Sequence, residues 1–424
     1  MFKTLRNAWS IPELRKKLIF TLLILLLYRI GNVIPVPFVD TAAMADYFNA
    51  SLSNTVFGLY NAMTGSAFSQ ASVLALGIQP YINASIIIQL LCVAIPALER
   101  MAKEQGEVGK KKIERITRYT TVGLGLLLGF AYYTMISRSD YAVVTDKGFL
   151  AAVVIILSFT AGSSAVMWLG EQINEHGIGN GISMILFANI IAGLPSMIGT
   201  LTSGLFHWWV GVIIAVVVLL LVVFIVFIND AERRIPIQYA KRVVGRKVYG
   251  GQSTNLPIKV SMSGVMPVIF AQSIASVPAT LYTFFGWNQD TWAYKNVFAS
   301  TGWVYMVIYG LLIFFFSWFY STIQYDPVEI SNNLKKNGGF IPGFRPGKPT
   351  ADFIKKVINK ILVFGAVYLA VVAMLPMVGN IIDSNMQYLA IGGTSIIIVV
   401  GVALESVKAL EAQMLMRHYK GFLD

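Results

Sequence analysis

Long uncharged apolar runs recur from end to end of this 424-residue chain and constrain its fold more than any other feature. A helix needs about 20 apolar residues to cross a hydrocarbon core roughly 30 Å thick. Runs of adequate length predict ten spans, near 18–38, 71–98, 119–137, 149–170, 182–201, 208–228, 261–285, 302–323, 357–377 and 386–404. We therefore expect an all-α integral membrane protein with ten transmembrane helices, because lipid offers the backbone no hydrogen-bond partners.

Basic residues indicate the side of the membrane on which each loop lies. All but five of the 33 Lys and Arg residues fall before the first span, in alternate loops that include 230–259 and 324–356, or after residue 404. Cytoplasmic loops carry an excess of Lys and Arg, so these segments and both termini are predicted to face the cytoplasm. The bias follows from membrane insertion alone or from a docking role for the loops, and the sequence leaves both explanations open.

The two ends of the chain are short and polar. Residues 1–17 predict an amphipathic N-terminal helix at the membrane surface, with Phe2, Leu5 and Trp9 toward lipid and basic side chains toward anionic lipids. Residues 405–424 predict a cytoplasmic tail.

One stretch departs from the simple pattern of spans and charged loops. Residues 47–98 contain no charged side chain. This uncharged stretch is too long for one membrane crossing, and it contains no charged loop that would separate two crossings. The first half of this stretch is rich in Gly, Ser, Asn and Thr, and irregular backbone is stable at membrane depth only inside protein or beside a wet cavity. We predict that a segment at about 55–68 folds back from the outer face into the bundle. An exposed outer loop is the alternative.

Residues suited to catalysis or metal binding are scarce. Cys92 has no second cysteine to pair with, so neither a disulfide nor a cysteine metal site forms within one chain. Glu171, Glu175 and His176 lie close together, but no third ligand is spaced nearby and the HExxH arrangement is absent. GEVGKKK lacks the Ser or Thr that follows the lysine of a phosphate-binding loop. We therefore expect no enzyme and no cofactor.

The polar segments and span ends carry longer motifs. They are LGIQPYINASIIIQLL at 76–91, QGEVGKKKIERITRYTT at 105–121, WLGEQINEHGIGNGIS at 168–183, YAKRVVGRKVYGGQSTNLPIKV at 239–260, NLKKNGGFIPGFRPG at 333–347 and IGGTSIIIVVGVALE at 391–405. By these motifs, which lie in order over nearly the whole chain, the sequence resembles the SecY family of Sec protein translocase channels. Loops match as well as helices, so shared hydrophobicity does not explain the resemblance.

The resemblance implies two pseudo-symmetric halves, 18–205 and 206–404, around an hourglass pore. It places an outer re-entrant plug helix at about 55–68 and a lateral gate between the second and seventh spans. Such a channel passes unfolded secretory polypeptides across the bacterial cytoplasmic membrane and releases membrane segments sideways into it. A secondary transporter of a small solute is the alternative, since ten spans and broken helices also fit one. No Asp or Glu lies at the centre of a predicted span to couple ions, which disfavours that alternative.

Family positions carry over residue by residue. The pore ring maps onto Ile78, Ile82, Ile182, Leu186, Ile269 and Ile398. The plug positions are Phe57, Leu59, Asn61, Met63, Gly65 and Phe68. The plug departs from the family pattern at Ser66, where a second Gly is usual, and at Gln70, where a basic residue is frequent. The lateral gate maps onto Asn83 and Gln89, polar residues for which hydrogen bonding between helices is an equal alternative.

Exposed basic residues in the cytoplasmic loops are the implied docking positions. They are Arg233, Arg234, Lys241, Arg242, Arg246, Lys247, Lys335, Lys336, Arg345 and Lys348. Such a cluster pairs equally well with acidic protein or with rRNA phosphate. The implied partners are the SecA motor ATPase, the ribosome, the small membrane subunits SecE and SecG, and signal peptides with nascent or unfolded polypeptides. For Arg345, a structural role in ordering its own loop is the alternative.

Overall fold

The fold is a bundle of helices, seen in a computed structural model. The structure describes residues 2–53, 56–103, 106–202, 208–239, 242–244, 247–249, 253–262, 264–285, 291–292, 294–299, 302–382 and 392–420. In chain order the α-helices of these residues are α1 (Phe2–Ser10), α2 (Pro12–Gly31), α3 (Thr41–Tyr47), α4 (Val56–Met63), α5 (Gln79–Ala94), α6 (Pro96–Lys103), α7 (Gly106–Ser137), α8 (Phe149–His176), α9 (Gly181–Thr202), α10 (Trp208–Asp230), α11 (Met266–Phe284), α12 (Trp303–Gln324), α13 (Pro327–Lys336), α14 (Lys348–Ile382) and α15 (Gly392–Lys420). Single π-helical turns occupy Phe48–Leu52 and Tyr294–Phe298.

A helix covers the greater part of each predicted span: α2, α5, α7 to α12, α14 and α15. Within the described ranges, five helical segments are long and apolar enough to cross a bilayer, and four shorter apolar helices accompany them. Many of the large exposed side chains on these helices are Leu, Ile, Val and Phe, such as Leu22, Leu219 and Leu311. Apolar side chains on the outside of a bundle are stable where lipid is the solvent.

Several helices begin or end where a specific residue interrupts the pattern. α2 ends at Gly31 instead of continuing to 38, since Pro35 and Pro37 lack the backbone donor that a helix requires. The predicted interfacial helix is likewise shorter than expected: α1 ends at Ser10, and Pro12 begins α2, which runs on into the first span. Leu5 and Trp9 are exposed on α1, as predicted, while Ala8 packs toward α15.

The second span differs most from its prediction. The run from 71 was expected to be helical, but α5 begins only at Gln79. The preceding residues form turns in which Gly65, Ser66, Ala71 and Gly77 have positive φ, a conformation that no helix contains. The result is a compact non-helical segment between α4 and α5.

The spanning helices pack in two groups. In the first half α5 packs on α7, α7 on α8, and α8 on α2 and α9. In the second half α11 packs on α12, α12 on α14, and α15 on both α10 and α14. Contacts between the groups include α5 with α11 and α9 with α15. A single large apolar cluster runs through both groups and forms the main core.

Two loops that were expected to be exposed on the cytoplasmic side fold together instead. β1 (Glu232–Tyr239) pairs antiparallel with β4 (Ser253–Lys259) from the same loop and with β5 (Gly339–Phe340) from the next loop. Ile235 and Ile237 alternate with exposed residues on β1, so one face of the sheet is apolar. This face packs on α13 and α14 through Leu334, Ile354 and Ile358. A hairpin of β2 (Arg242–Val244) and β3 (Lys247–Tyr249) extends the unit.

Candidate functional site: pore, plug and lateral gate

The six predicted ring residues come from four helices and meet in the main apolar cluster. Five of their side chains are only 1 to 4% exposed. These five are Ile78, Ile82, Leu186, Ile269 and Ile398. The sixth, Ile182, is partly buried and packs against the same cluster. The structure therefore places residues of both halves in one extended apolar cluster, and their closure into a ring and their action as a seal stay a prediction.

Local structure explains how two helices present these aliphatic side chains. Gly77, with φ +52°, turns the chain so that Ile78 immediately precedes α5 and Ile82 follows one turn later. In α9, the side chain of Asn180 accepts hydrogen bonds from the backbone N–H groups of Ile182 and Ser183, which starts the helix at the ring.

The segment predicted as a plug lies inside the bundle. It consists of α4 and the turns up to residue 68, and Phe57, Met63 and Phe68 are buried. The Phe68 ring contacts the rings of Phe57, Tyr60 and Tyr132 at centroid distances of 5.4, 5.2 and 4.8 Å. Leu59 lies in α4, and its side chain is outside the description. The exposed outer loop considered above does not fit this burial, whereas a plug role stays a prediction.

Hydrogen bonds fix the turns after α4. The Tyr60 hydroxyl donates to the carbonyl of Leu76 at 2.8 Å. The Tyr132 hydroxyl donates to the carbonyl of Phe68 at 2.7 Å. The side chain of Asn61 accepts from the N–H of Ser69 at 2.9 Å. Ser66 takes φ +71°, a conformation that Gly adopts without steric cost.

A buried hydrogen bond joins the two helices of the predicted lateral gate. The Gln79 amide of α5 donates to the Ser273 hydroxyl of α11 at 2.9 Å. Gln89, a predicted gate residue, donates instead to Ser85 of its own helix at 3.3 Å. Sequence reasoning did not identify Ser273 as a gate residue. Its signal was weak, since one small polar residue in an apolar helix is common.

An apolar groove runs beside this bond between α5 and α11. We call it the gate groove; its cavity measures about 360 Å³ and is lined by α4, α5, α7 and α11. Asn83, the other predicted gate residue, lines it together with Ile87, Leu127, Val277 and Leu281. Ile87 and Val277 are also exposed on the outside of the bundle. The groove thus extends from the plug segment toward the lipid-facing surface.

Most of the predicted docking positions lie in or beside the strands of the two loops at 230–259 and 324–356. Exposed side chains are those of Arg233, Arg234, Lys335, Lys336, Arg345 and Lys348. Arg234 pairs with Glu232 at 2.7 Å. Arg242 and Lys247 belong to the β2–β3 hairpin, whereas Lys241 and Arg246 lie outside the described residues. Arg345 contributes its carbonyl to Thr350 at 2.8 Å, but its guanidinium donates to no other residue that the structure describes.

The carboxylate and histidine cluster lies at the end of α8, not in a loop, and has a structural partner. Arg118 of α7 donates to Glu171 at 2.8 Å, and Glu175 lies 3.9 Å from His176 on the surface. No group of three or more His, Cys, Asp or Glu suited to a metal occurs among the described residues. The Glu171 carboxylate therefore ties α7 to α8.

Comparison with known proteins decides the family. A family model described as SecY matches residues 72–407. The chain belongs to the SecY family. It is 43% identical over 440 residues to the protein translocase subunit SecY of Streptomyces galbus, covering 100% of both chains. SecY proteins of this kind are protein-conducting channels, so this chain is a multi-pass channel of the cell membrane and not an enzyme. The alternative of a small-solute transporter is not supported.

Solved structures with a similar fold are channels as well. One, described as a protein conducting channel, has a TM-score of 0.68 at 19% identity and covers 94% of this chain and 92% of its own. Another is Sec61 in a canine ribosome-channel complex, with a TM-score of 0.63 at 17% identity, covering 94% of this chain and 92% of its own. At such low identity the likeness speaks for the fold.

Proposed function

We propose that unfolded secretory polypeptides pass through the ring of six aliphatic residues after the plug segment moves aside. Membrane segments leave sideways between α5 and α11. An apolar ring offers ions and water no hydrogen bond, so a closed neck excludes them. Flexible aliphatic side chains yield to any passing residue, which suits a channel for many sequences. The main support for this proposal is that six aliphatic residues from both halves belong to or pack against one apolar cluster: Ile78, Ile82, Ile182, Leu186, Ile269 and Ile398.

The test is translocation by the purified channel complex in proteoliposomes. With SecA, ATP and an unfolded precursor, the precursor is expected to become protected from added protease. Omission of ATP is the matched control, because SecA is the proposed source of energy. A precursor that stays fully accessible with SecA and ATP present would refute the proposal. Saturable uptake of a small solute would favour a transporter.

The gate groove is the proposed docking place of signal peptides. A signal peptide carries an apolar stretch of 7–15 residues, and the groove offers apolar side chains with Asn83 as a polar contact. Its 360 Å³ hold part of such a helix, and separation of α5 from α11 would enlarge the space. Main-chain and side-chain polar groups of the incoming peptide would find Gln79 and Ser273 at the inner end.

Photo-crosslinking tests this docking. A photoreactive residue at Ile87, in the groove, is expected to crosslink to the apolar stretch of a stalled precursor. The matched control is Val363 on α14, which is similarly exposed but lies on another face. Equal crosslinking from both positions would indicate contact through lipid only and contradict docking in the groove.

The cytoplasmic sheet unit is the proposed platform for the motor or the ribosome. Exposed Arg and Lys residues from two loops surround β1, and this common fold gives them a fixed relative arrangement. The canine relative works in a ribosome complex, and we extend ribosome docking, and SecA docking at the same face, to this chain. SecE and SecG are the proposed membrane partners, tested by co-purification from membranes.

Both termini are proposed to face the cytoplasm, together with the basic loops. A cysteine introduced near either end, in a chain whose Cys92 is replaced by Ser, should resist a membrane-impermeant thiol reagent in intact cells. Labelling of the terminal cysteine without cell disruption would reverse the proposed orientation. A cysteine at Lys147, in a proposed outer loop, serves as the accessible control.

A further inference from the structure

The carboxyl end of α4 lies among other helices, where its last carbonyls need partners other than water. Three consecutive carbonyls receive a side-chain donor each. The Asn189 amide donates to Met63 at 2.7 Å. The Asn32 amide donates to Thr64 at 3.2 Å, and the Arg29 guanidinium donates to Gly65 at 3.4 Å. These three donors satisfy backbone carbonyls at the end of α4 that would otherwise lack hydrogen-bond partners.

One of the two amide donors is also bonded to a second helix. Asn189 of α9 also donates to the Tyr28 hydroxyl of α2 at 2.8 Å. Asn32, Tyr28 and Asn189 are all at most 5% exposed. The side-chain carbonyl oxygens of Asn32 and Asn189 have no hydrogen-bond partner among the described residues. Buried amides are costly in an apolar interior, so their bonds to α4 account for their presence there.

Arg29 adds a positive charge at the same place. It lies in a predicted span, and among the described residues no carboxylate pairs with it. The carboxyl end of a helix carries a partial negative charge of about −0.5, which attracts cations. A charged donor also makes a stronger hydrogen bond than a neutral one.

Gly65 makes the close approach possible. Its φ is +64°, and a Cβ built on it would lie 2.4 Å from an Arg29 guanidinium nitrogen and 2.8 Å from the Asn189 carbonyl oxygen. Any larger residue would displace both donors. Gly65 therefore packs closely against both Arg29 and Asn189.

We propose that Arg29, Asn32 and Asn189 form a latch that holds the plug in the closed channel and releases it on opening. The inference rests on the proposed function, in which α4 must leave the pore. All three donors belong to the first half, on α2, the residue that follows it, and α9. Separation of α5 from α11 therefore leaves the latch intact, and release of the plug is a second step. Once α4 has moved, water entering the pore solvates the freed donors.

The test compares ion conductance and precursor translocation of the channel complex in planar bilayers and proteoliposomes. Asn189→Leu, Asn32→Ala and Arg29→Met each remove a donor to the end of α4 and are each expected to raise the frequency of open events about three- to tenfold. Arg29→Lys retains a donor and should stay near the parent value. Lys147→Gln, an exposed change of the same charge, is the matched control and should have no effect.

Combining a latch substitution with deletion of the plug distinguishes a latch from a general loss of stability. In a chain that lacks residues 56–65, Asn189→Leu is expected to add nothing to the leak. The latch would be refuted if Asn189→Leu raised the ion leak equally with and without the plug, or if it did not raise the leak with the plug present. Translocation by the parent complex tests the proposed function separately. If the parent complex translocates the precursor normally, the proposed function holds even where the latch fails. If it does not, the proposed function itself is refuted.

Discussion

The amide of Gln79 on α5 donates a 2.9 Å hydrogen bond to the hydroxyl of Ser273 on α11, and both residues are at most 8% exposed. The bond is buried and joins helices of opposite halves. Hydrogen bonds between membrane helices contribute only about 0.6 kcal/mol on average and about 1.7 kcal/mol at most. One such bond can orient two helices without preventing their separation.

Removal of this bond should make the lateral gate easier to open. Gln79→Leu or Ser273→Ala is expected to increase translocation of a precursor with a weakened signal sequence about three- to tenfold. The double variant should match either single variant, since one bond is lost in each case. Gln89→Leu is the control, because that amide bonds within α5. Additive effects of Gln79→Leu and Ser273→Ala would contradict a shared bond.

A polar substitution in the ring should loosen the seal. Ile82 is 1% exposed in the main cluster, and Ile82→Asn places an amide that can retain water in the neck. We expect a severalfold rise in ion leak of the idle channel in planar bilayers. Ile82→Leu keeps the volume and the apolar surface, so it should leave the leak unchanged. An Ile82→Asn channel as tight as the parent would argue against the ring.

The sequence predicted where the apolar helices lie, because length and hydrophobicity suffice to specify them, whereas the count of ten membrane crossings stays a prediction. It also predicted the inward fold of residues 55–68, from the absence of charge together with many small polar residues. Both signals depend only on the solvent that surrounds a segment. Neither depends on which distant residues meet.

Contacts between distant segments were beyond the sequence. The sheet of β1, β4 and β5 joins two loops nearly 100 residues apart, and the pairing of Gln238 with Phe340 leaves no trace in either loop alone. The partner of Arg29 was equally hidden, because a lone charge in a span does not identify the group that it contacts. The structure places its guanidinium against the carbonyl of Gly65.

Ser66 offers a test of backbone strain in the plug. With φ +71° it holds a conformation that costs a residue with a side chain roughly 1–2 kcal/mol, while Gly loses about 0.5–1 kcal/mol through its greater freedom when unfolded. Ser66→Gly is therefore expected to stabilise the complex by up to about 1 kcal/mol and to raise its melting temperature by about 1–2 °C. Ser53→Gly, at a position with φ −57°, should lower it. A lower melting temperature for Ser66→Gly would contradict this account.

Arg345 should contribute to motor docking through its charge. Its side chain is exposed in the loop before α14, and within the described part of the chain its guanidinium has no partner, so it is free to meet an acidic surface. Arg345→Ala is expected to weaken SecA binding about tenfold at low salt and to leave the idle ion leak unchanged.

The matched control for Arg345 is Arg234→Ala. Arg234 is also exposed, but its pairing with Glu232 at 2.7 Å partly neutralises its charge, so its loss should weaken binding by less than about threefold. Because salt screens exposed charges, the difference between parent and Arg345→Ala should shrink as ionic strength rises to about 1 M. If the difference in SecA binding did not depend on salt, or if Arg345→Ala raised the ion leak, Arg345 would be a structural residue that orders its own loop and not a docking residue.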